Sequence, residues 1–143
     1  MCGISGIYNF TANNLISLDV LRAMILALHH RGPDEFGIYR DDQVGLASAR
    51  LSIIDLAGGS QPISNEDGTI WIVFNGEIFN YVELRPLLEK KGHLFSTKTD
   101  TEVILHLYEE YGTDCLNRLN GQFAIGIWDS NTKTLLLARD RLG

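Results

Sequence analysis

The second residue of the chain is a cysteine, and its type and position could support nucleophilic catalysis. If Met1 is removed, Cys2 carries both a thiol and a free α-amine. A thiol has a pKa of about 8.5 and an α-amine one of about 8, so the amine can accept the thiol proton at little cost. Enzymes with an N-terminal Thr, Ser or Cys nucleophile attack carbonyl groups in this way. On position alone, a cysteine that follows the first residue by chance explains the sequence equally well.

Three further positions could complete a site for an amino-acid amide. Asn75, Gly76 and Glu77 interrupt an apolar segment, and amide groups there could stabilise an oxyanion, although a β-bulge would explain the glycine as well. Arg50 could hold a carboxylate in a bidentate pair, or it could be an exposed charge at the end of a strand. Asp100 could bind an ammonium group, or it could cap a helix.

The remaining histidines and the second cysteine show no pattern of a reactive or metal-binding site. His29 and His30 are adjacent, while His93 and His106 have no metal-ligand spacing with them or with the cysteines. We predict packing or surface roles for all four histidines and no metal site. Cys115 stands among leucines on a predicted short helix, where a buried structural thiol is expected.

Length, composition and charge restrict the class of protein. The 143 residues are 45% apolar, which suits one globular domain with a substantial core. The net charge is −6 and basic runs are absent, which argues against a nucleic-acid partner. No segment has the roughly 20 apolar residues of a membrane span or the pattern of a signal peptide. We therefore expect no membrane partner and a cytoplasmic location. Two cysteines are too few for a disulfide framework, and we expect a reducing compartment.

The apolar pattern predicts the elements that must position the candidate residues. Helices are predicted over 17–29 behind a Ser17 cap, over 80–91, over 101–111 and, as a short turn, near 114–118. Strands are predicted over 1–8, 36–40, 43–54, 69–79, 122–128 and 134–138. The helix over 80–91 is predicted to bury Leu84, Leu87 and Leu88. Continuous apolar segments such as 70–74 indicate sheets covered on both faces, and thus a layered sandwich with outer helices.

Several short motifs follow one another in the order of a known family. They lie at residues 1–4, 31–34, 50–55, 61–62, 75–80 and 139–143. Together they resemble the glutaminase domain of glutamine-dependent asparagine synthetases, which are class II glutamine amidotransferases. Taken alone, the motif at 31–34 also predicts an ordered turn that could hold a loop over a site.

The resemblance implies a fold and a domain organisation. It implies an α+β N-terminal nucleophile (Ntn) hydrolase fold, a four-layer αββα sandwich, with one glutamine amidotransferase type 2 domain over residues 1–143. The family's domain continues with further strands beyond the last motif. The expected fold is therefore truncated at its C-terminal side, and the synthetase domain is absent from this sequence.

The resemblance also implies the site residues and their roles. Cys2 would attack the side-chain amide of glutamine and form a γ-glutamyl thioester, giving glutamate and ammonia. Asn75 and the Gly76 amide would form the oxyanion hole, Arg50 would hold the substrate carboxylate, and Asp100 would hold its ammonium. Further substrate contacts are implied for Leu51, Ser52, Ile53, Ile54 and Glu77.

The partners implied by the resemblance are glutamine and an ATP-dependent synthetase domain in cis or in trans. That domain would use ATP, Mg and the ammonia to make asparagine from aspartate, while the present domain would need no cofactor. Self-association into a homo-oligomer stays open. The alternatives are a catalytically inactive glutamine-binding or interaction module, and an amidotransferase that acts on a different acceptor.

Overall fold

Two antiparallel sheets form the centre of the structure. The computed structural model describes residues 2–11, 15–51 and 59–142. The first sheet has the strand order β1-β3-β2 and consists of β1 (Gly3–Tyr8), β2 (Glu35–Arg40) and β3 (Val44–Arg50). The second has the order β4-β5-β6-β7 and consists of β4 (Ile63–Ser64), β5 (Ile70–Ile78), β6 (Gly121–Asp129) and β7 (Thr134–Arg139).

Helices cover the outer faces of both sheets. The helices are α1 (Leu18–Ala27), α2 (Tyr81–Lys90), α3 (Asp100–Tyr111) and a 3₁₀ segment over Gly112–Arg118. The first helix packs on the first sheet, while α3 packs on the second sheet and α2 packs on α3. The layers thus follow the order helix, sheet, sheet, helix, which confirms the predicted αββα sandwich. None of the helices in the described ranges has the length and apolar character that a membrane span requires.

Strand β3 is buried on both faces, and its side chains point alternately toward the second sheet and toward α1. Val44 and Leu46 pack into the core between the sheets, whereas Ala47 and Ala49 pack with Ile25 of α1. Successive side chains of a strand point to opposite faces. Arg50, the last residue of β3, is therefore on the same face of the strand as Val44 and Leu46.

The core between the sheets is closed by a tryptophan from the second sheet. Trp128 is fully buried and packs with Val73, Val44 and Leu46. Its indole N–H donates a hydrogen bond of 2.6 Å to Asp41 Oδ2, in the turn between β2 and β3. This contact joins the two sheets at the end of β3 opposite to Arg50.

The predicted cap of α1 and the predicted end of α3 are confirmed, whereas the end of α1 and one buried position of α2 differ from the prediction. The side chain of Ser17 accepts a hydrogen bond from the N–H of Val20, as predicted for the cap of α1, although the helix ends at Ala27 and not at residue 29. The helix predicted over 101–111 is confirmed as α3, which Gly112 ends with a φ of 55°. The predicted burial of Leu87 is wrong, because this side chain is 56% exposed.

The capping prediction for α2 is only partly right. Asn80 is the N-cap residue, but its side chain makes no capping hydrogen bond. Its Oδ1 instead accepts from the N–H of Asn120, and its Nδ2 donates to the carbonyl of Arg118. The asparagine therefore links the start of α2 to the segment that leads into β6.

The strands are confirmed, with one boundary changed and one strand missed. The strand predicted over 43–54 ends at Arg50, and residues 52–54 lie outside the described residues. The predicted turn over 129–132 joins β6 to β7, where Asp129 Oδ1 accepts from the N–H groups of Asn131 and Thr132. The two-residue strand β4 was not predicted, since two residues carry no recognisable period.

Candidate functional site

An open cleft of about 1450 Å³ brings the candidate residues together from both sheets. The predicted site residues that line it are Cys2, Arg50, Leu51, Asn75, Gly76, Glu77 and Asp100. The other three predicted site residues, Ser52, Ile53 and Ile54, lie outside the described residues. Seven positions spread over a hundred residues of sequence thus share one cavity.

The strand pairing of the first sheet explains why Cys2 and Arg50 are neighbours. Strands β1 and β3 are antiparallel, with Gly3 opposite Ala49. Continuing this register by one residue places Cys2 beside Arg50. Ile4, two residues after Cys2, packs into the core between the sheets. By the alternation of strand side chains, Cys2 belongs to that same face.

The motif at residues 31–34 anchors these two strand ends. The side chain of Arg31 donates a hydrogen bond of 3.2 Å to the carbonyl of Cys2, and the N–H of Asp34 donates to the carbonyl of Arg50. A Cβ atom on Gly32 would lie 2.2 Å from the carbonyl oxygen of Ala49, so only glycine fits there. The predicted turn therefore packs directly behind the site, and Arg31 also lines the cleft.

The thiol of Cys2 is half-buried and accessible from the cleft. Its Sγ lies 3.7 Å from the carbonyl oxygen of Leu51, to which the thiol can donate a weak hydrogen bond. The other cysteine, Cys115, is fully buried. Burial raises the pKa of the Cys115 thiol to about 11, which keeps it protonated and unreactive. The predicted structural role of Cys115 is confirmed.

Arg50 is a buried cation and not an exposed charge at a strand end. Its side chain is 7% exposed, and its guanidinium lies 3.3 Å from Glu35 Oε2. The hydroxyl of Ser60 donates to the other carboxylate oxygen of Glu35. These contacts fix the position of the guanidinium at the wall of the cleft.

Asn75 and Gly76 lie within a regular strand, so the β-bulge alternative is wrong. Asn75 pairs with Ala124 and Gly76 with Phe123, without an extra residue on either strand. Gly76 has a φ of 155°, and a Cβ atom there would lie 2.0 Å from the carbonyl oxygen of Gln122. Glycine is therefore required for the close approach of β5 and β6 at the cleft.

The side chain of Asn75 is available to a ligand. Asn75 is two residues after Val73, whose side chain packs between the sheets, so both belong to the same face of β5. Within the described part of the chain, the side-chain amide of Asn75 forms no hydrogen bond. An amide at this position can donate to an oxygen atom bound in the cleft.

Asp100 is a buried carboxylate at the start of α3. The capping alternative is wrong, because the cap of α3 is Thr99, whose hydroxyl accepts from the N–H of Glu102. Asp100 Oδ2 accepts instead from the N–H of Ile78, at 3.0 Å. Burial raises the pKa of Asp100 against the effect of its backbone donors, and the charge of Glu77 adds to the increase.

A cation in the cleft would stabilise the charged form of Asp100. Among the described residues, no lysine, arginine or histidine pairs with this carboxylate. A buried carboxylate without a counter-charge is costly, and an ammonium group nearby favours its ionised form.

Two of the quoted motifs supply residues that position the site. Gln61 is buried, accepts a hydrogen bond of 2.6 Å from the N–H of Phe74, and donates to Thr101 Oγ1 at 3.4 Å. It thereby connects β5 to the start of α3. Asp140 Oδ2 accepts from the N–H of Phe123 and holds the end of β6 that faces Gly76. Both residues belong to motifs that were recognised in the sequence, but those motifs did not indicate the contacts seen in the structure.

Two of the four histidines lie close together in a cluster with two glutamates. His93 and His106 lie with their ring centroids 4.7 Å apart, and Glu66 and Glu109 surround them. The spacing of the histidines along the sequence did not indicate this cluster, because its members come from three separate segments. The spacing of His106 and Glu109 on one helix face was the only local signal.

Comparison with sequence families gives one match that covers the whole chain. Residues 1–143 match a family model described as a glutamine amidotransferase domain. Over its full length, the chain is 46% identical to glutamine-hydrolysing asparagine synthetase 1 of Bacillus subtilis and 42% identical to glutamine-hydrolysing asparagine synthetase 1 of Arabidopsis thaliana. It covers 23% and 24% of those two proteins, so the chain spans about a quarter of the length of these curated relatives.

Two solved structures resemble the fold. Glutamine phosphoribosylpyrophosphate amidotransferase from B. subtilis, complexed with ADP and GMP, superposes with a TM-score of 0.53 and 27% identity, over 67% of this chain and 23% of that chain. A structure of the allosteric regulatory enzyme of purine biosynthesis superposes with a TM-score of 0.55 and 28% identity, over 69% of this chain and 24% of that chain. These likenesses confirm the predicted Ntn hydrolase fold.

Proposed function

Because the chain belongs to the glutamine amidotransferase domain family, we propose that it hydrolyses glutamine to glutamate and ammonia with Cys2 as the nucleophile. The observation that carries this proposal is the single cleft lined by Cys2, Arg50, Asn75, Gly76 and Asp100. These residues offer a thiol, a cation, amide donors and an anion, which are complementary to the side-chain amide, the α-carboxylate and the α-ammonium of glutamine.

Two charged residues would orient the substrate. The guanidinium of Arg50 has five N–H donors, so it can bind the α-carboxylate while it keeps its contact with Glu35. The α-ammonium would pair with Asp100, whose pKa is raised by burial and falls again when a cation approaches. Glu77, exposed at the same cleft, adds negative charge on this side. Leu51 would contact the substrate beside the thiol, and Ser52, Ile53 and Ile54 are proposed with it.

The first chemical step would release ammonia. After removal of Met1, the α-amine of Cys2 takes the thiol proton, and the sulfur attacks the amide carbon of glutamine. The tetrahedral oxyanion is stabilised by the side-chain amide of Asn75 and the N–H of Gly76. The protonated amine then gives its proton to the leaving nitrogen. Ammonia departs, and a γ-glutamyl thioester remains on Cys2.

The second step would release glutamate by the same groups. The α-amine takes a proton from water, and the hydroxyl attacks the thioester carbon. Collapse of the second tetrahedral intermediate breaks the carbon–sulfur bond, and the proton returns to the thiolate. The chain needs no cofactor for this reaction.

The fate of the ammonia is proposed from the relatives. Both curated relatives cited above are named glutamine-hydrolysing asparagine synthetases, and this chain corresponds to about a quarter of their length. We propose that the full protein carries an ATP-dependent synthetase domain that binds ATP and Mg and transfers the ammonia to aspartate. A reactive Cys2 requires a reducing compartment, and we propose the cytoplasm.

A glutaminase assay on matched cysteine variants tests the proposal. We expect Cys115→Ala to form glutamate and ammonia at the wild-type rate, because Cys115 is buried in the core and does not line the cleft. Cys2→Ala should form neither product while binding glutamine, as measured by calorimetry. Glutamine binding by a wild-type protein that does not turn over would contradict the enzyme and support the binding module. Equal activity of Cys2→Ala would exclude Cys2 as the nucleophile.

A further inference from the structure

Four side chains from three segments form a second cluster of titratable groups. Glu66 lies between β4 and β5, His93 lies between α2 and α3, and His106 and Glu109 lie on α3. One nitrogen or oxygen atom from each side chain lies within 4.8 Å of the corresponding atoms of the other three. None of these four residues lines the cleft that contains Cys2.

The two imidazoles turn the same ring nitrogen into the cluster. Nδ1 of His106 lies 2.6 Å from Glu109 Oε2, and Nδ1 of His93 lies 3.5 Å from the same oxygen. Their Nε2 atoms face carboxylates outside the cluster, at 3.1 Å from Glu110 for His93 and at 3.8 Å from Glu102 for His106. Histidine ligands of metals usually have this arrangement, with one ring nitrogen on the ion and the other on a carboxylate.

The two carboxylates of the cluster are oriented in a similar way. The side-chain amide of Asn65 donates a hydrogen bond of 2.8 Å to Glu109 Oε1, which leaves Oε2 toward the histidines. The N–H of Leu94 donates to Glu66 Oε1 at 3.1 Å. Three of the four side chains, His93, Glu109 and Glu66, thus have a hydrogen-bond partner outside the cluster, whereas the buried Nε2 of His106 has none among the described residues.

Burial differs across the cluster in a way that suits a bound ion. His106 is 1% exposed, while the side chains of His93 and Glu109 are 13% and 19% exposed. Glu66 is exposed on its loop. The cluster therefore has a rigid, water-poor side on α3 and an open side through which an ion can enter.

We propose that Glu66, His93, His106 and Glu109 bind one Zn²⁺ ion. Two imidazoles and two carboxylates are a donor set that suits zinc, whereas calcium and magnesium prefer oxygen ligands alone. Tetrahedral zinc with bonds of about 2.0–2.2 Å places its ligand atoms roughly 3.3 Å apart. The pair formed by His106 and Glu109 must therefore open slightly, and the exposed side chain of Glu66 must move inward.

The ion connects parts of the chain that are distant in sequence. It joins the connection between β4 and β5 and the connection between α2 and α3 to the body of α3. An ion that binds only the folded chain stabilises it by mass action. Zinc is therefore expected to raise the unfolding temperature of this domain independently of its glutaminase reaction.

Calorimetric titration of the metal-free protein with zinc chloride tests the proposal. The Cys2→Ser variant serves as the background, since it removes the accessible thiol as a competing ligand. We expect one zinc ion per chain, and at least about tenfold weaker binding for His93→Gln and Glu66→Gln, whose positions are accessible enough to tolerate glutamine. The control is His30→Gln, an exposed histidine outside the cluster, which should bind as the background does.

Cobalt supplies a second readout that does not depend on stability. Co²⁺ in this site should show visible ligand-field absorption without the thiolate charge-transfer band, and the absorption should be lost in His93→Gln and kept in His30→Gln. The proposal is overturned if the background variant fails to bind one zinc ion per chain. It is equally overturned if His93→Gln and Glu66→Gln bind zinc as tightly as His30→Gln does.

Discussion

Among the individual residues of the cleft, Arg50 is the one that separates substrate binding from chemistry. We expect Arg50→Ala to raise the KM for glutamine by about 10- to 100-fold, since hydrogen bonds to a charged group are worth about 1.5–3 kcal/mol. The thiol of Cys2 contacts the backbone carbonyl of Leu51, which this substitution leaves in place, so its reaction with a small alkylating agent should be unchanged. Steady-state kinetics and the alkylation rate measure the two effects.

Arg22→Ala is the matched control for this variant. Arg22 is exposed on α1 and forms a surface pair with Asp19. It should leave both the KM and the alkylation rate at wild-type values. An unchanged KM in Arg50→Ala would remove Arg50 from the substrate site.

Asn75 makes its contribution only when negative charge develops on the substrate. We expect Asn75→Ala to lower kcat by about 100- to 1000-fold, because the loss of one oxyanion donor has this effect in other hydrolases. Its thermal unfolding midpoint should stay close to that of the wild type, since the side-chain amide makes no hydrogen bond within the described residues. Near-normal turnover of the variant would contradict the oxyanion role.

At the scale of elements, the contact between β5 and β6 shapes the wall of the cleft. We expect Gly76→Ala to destabilise the fold more than Gly68→Ala does. Both glycines have a positive φ, a backbone conformation that costs an L-residue on the order of 1–3 kcal/mol. Only at Gly76 does the added Cβ meet a neighbour, at 2.0 Å from the carbonyl of Gln122, while the space at Gly68 is open. Urea unfolding of the two variants measures the difference, and equal losses would exclude a packing role for Gly76.

Glu102 links the start of α3 to the loop that precedes it. It is 2% exposed and accepts hydrogen bonds from the N–H groups of Ser96 and Thr97. Burial alone would raise the pKa of Glu102, but His106 and these donors outweigh it and lower the pKa to about 2. Glu102→Gln should therefore cost about 1.5–3 kcal/mol of stability at neutral pH.

The loss of stability in Glu102→Gln should depend on pH, because it requires the ionised form of the wild-type carboxylate. The folded pKa of about 2 lies below the ordinary value of 4.5, so the contribution is complete above pH 4.5 and is lost as the pH falls toward 2. The stability difference between the wild type and Glu102→Gln should shrink over this range. The control is Glu89→Gln, an exposed residue of α2 paired with Arg85, which should cost less than about 1 kcal/mol. A difference that is constant with pH would contradict a charged Glu102.

The elements themselves were largely predictable from local patterns. Ser17 and Gly112 mark helix ends through side-chain and backbone preferences that act within one turn, and the structure confirms both. Leu87 and Asn80 were misjudged because their environments depend on other segments. Leu87 lies on the face of α2 that no element covers within the described ranges, and Asn80 binds the backbone at Arg118 and Asn120.

At the scale of the whole molecule, the site exists only because two sheets pack against each other. Cys2 directly precedes the first strand of the first sheet, and Arg50 ends another strand of that sheet. Asn75 and Gly76 belong to the second sheet, and Asp100 to the helix behind it. The sequence predicted these residues from their types and from the order of the family's motifs. Their meeting in one cleft depends on contacts between distant segments, such as Trp128 with Asp41, which no local pattern reports. The cluster around His93 and His106 was missed for the same reason.

The proposed glutaminase reaction requires Cys2 to be an N-terminal nucleophile that accepts a γ-glutamyl group. Intact mass spectrometry after incubation with the glutamine analogue diazo-oxo-norleucine tests it most directly. We expect a chain lighter by one methionine that carries a single adduct at Cys2, with labelling suppressed by excess glutamine. A chain that keeps Met1 and acquires no adduct, although its Cys2 thiol still reacts with a small alkylating agent, would exclude Cys2 as an N-terminal nucleophile.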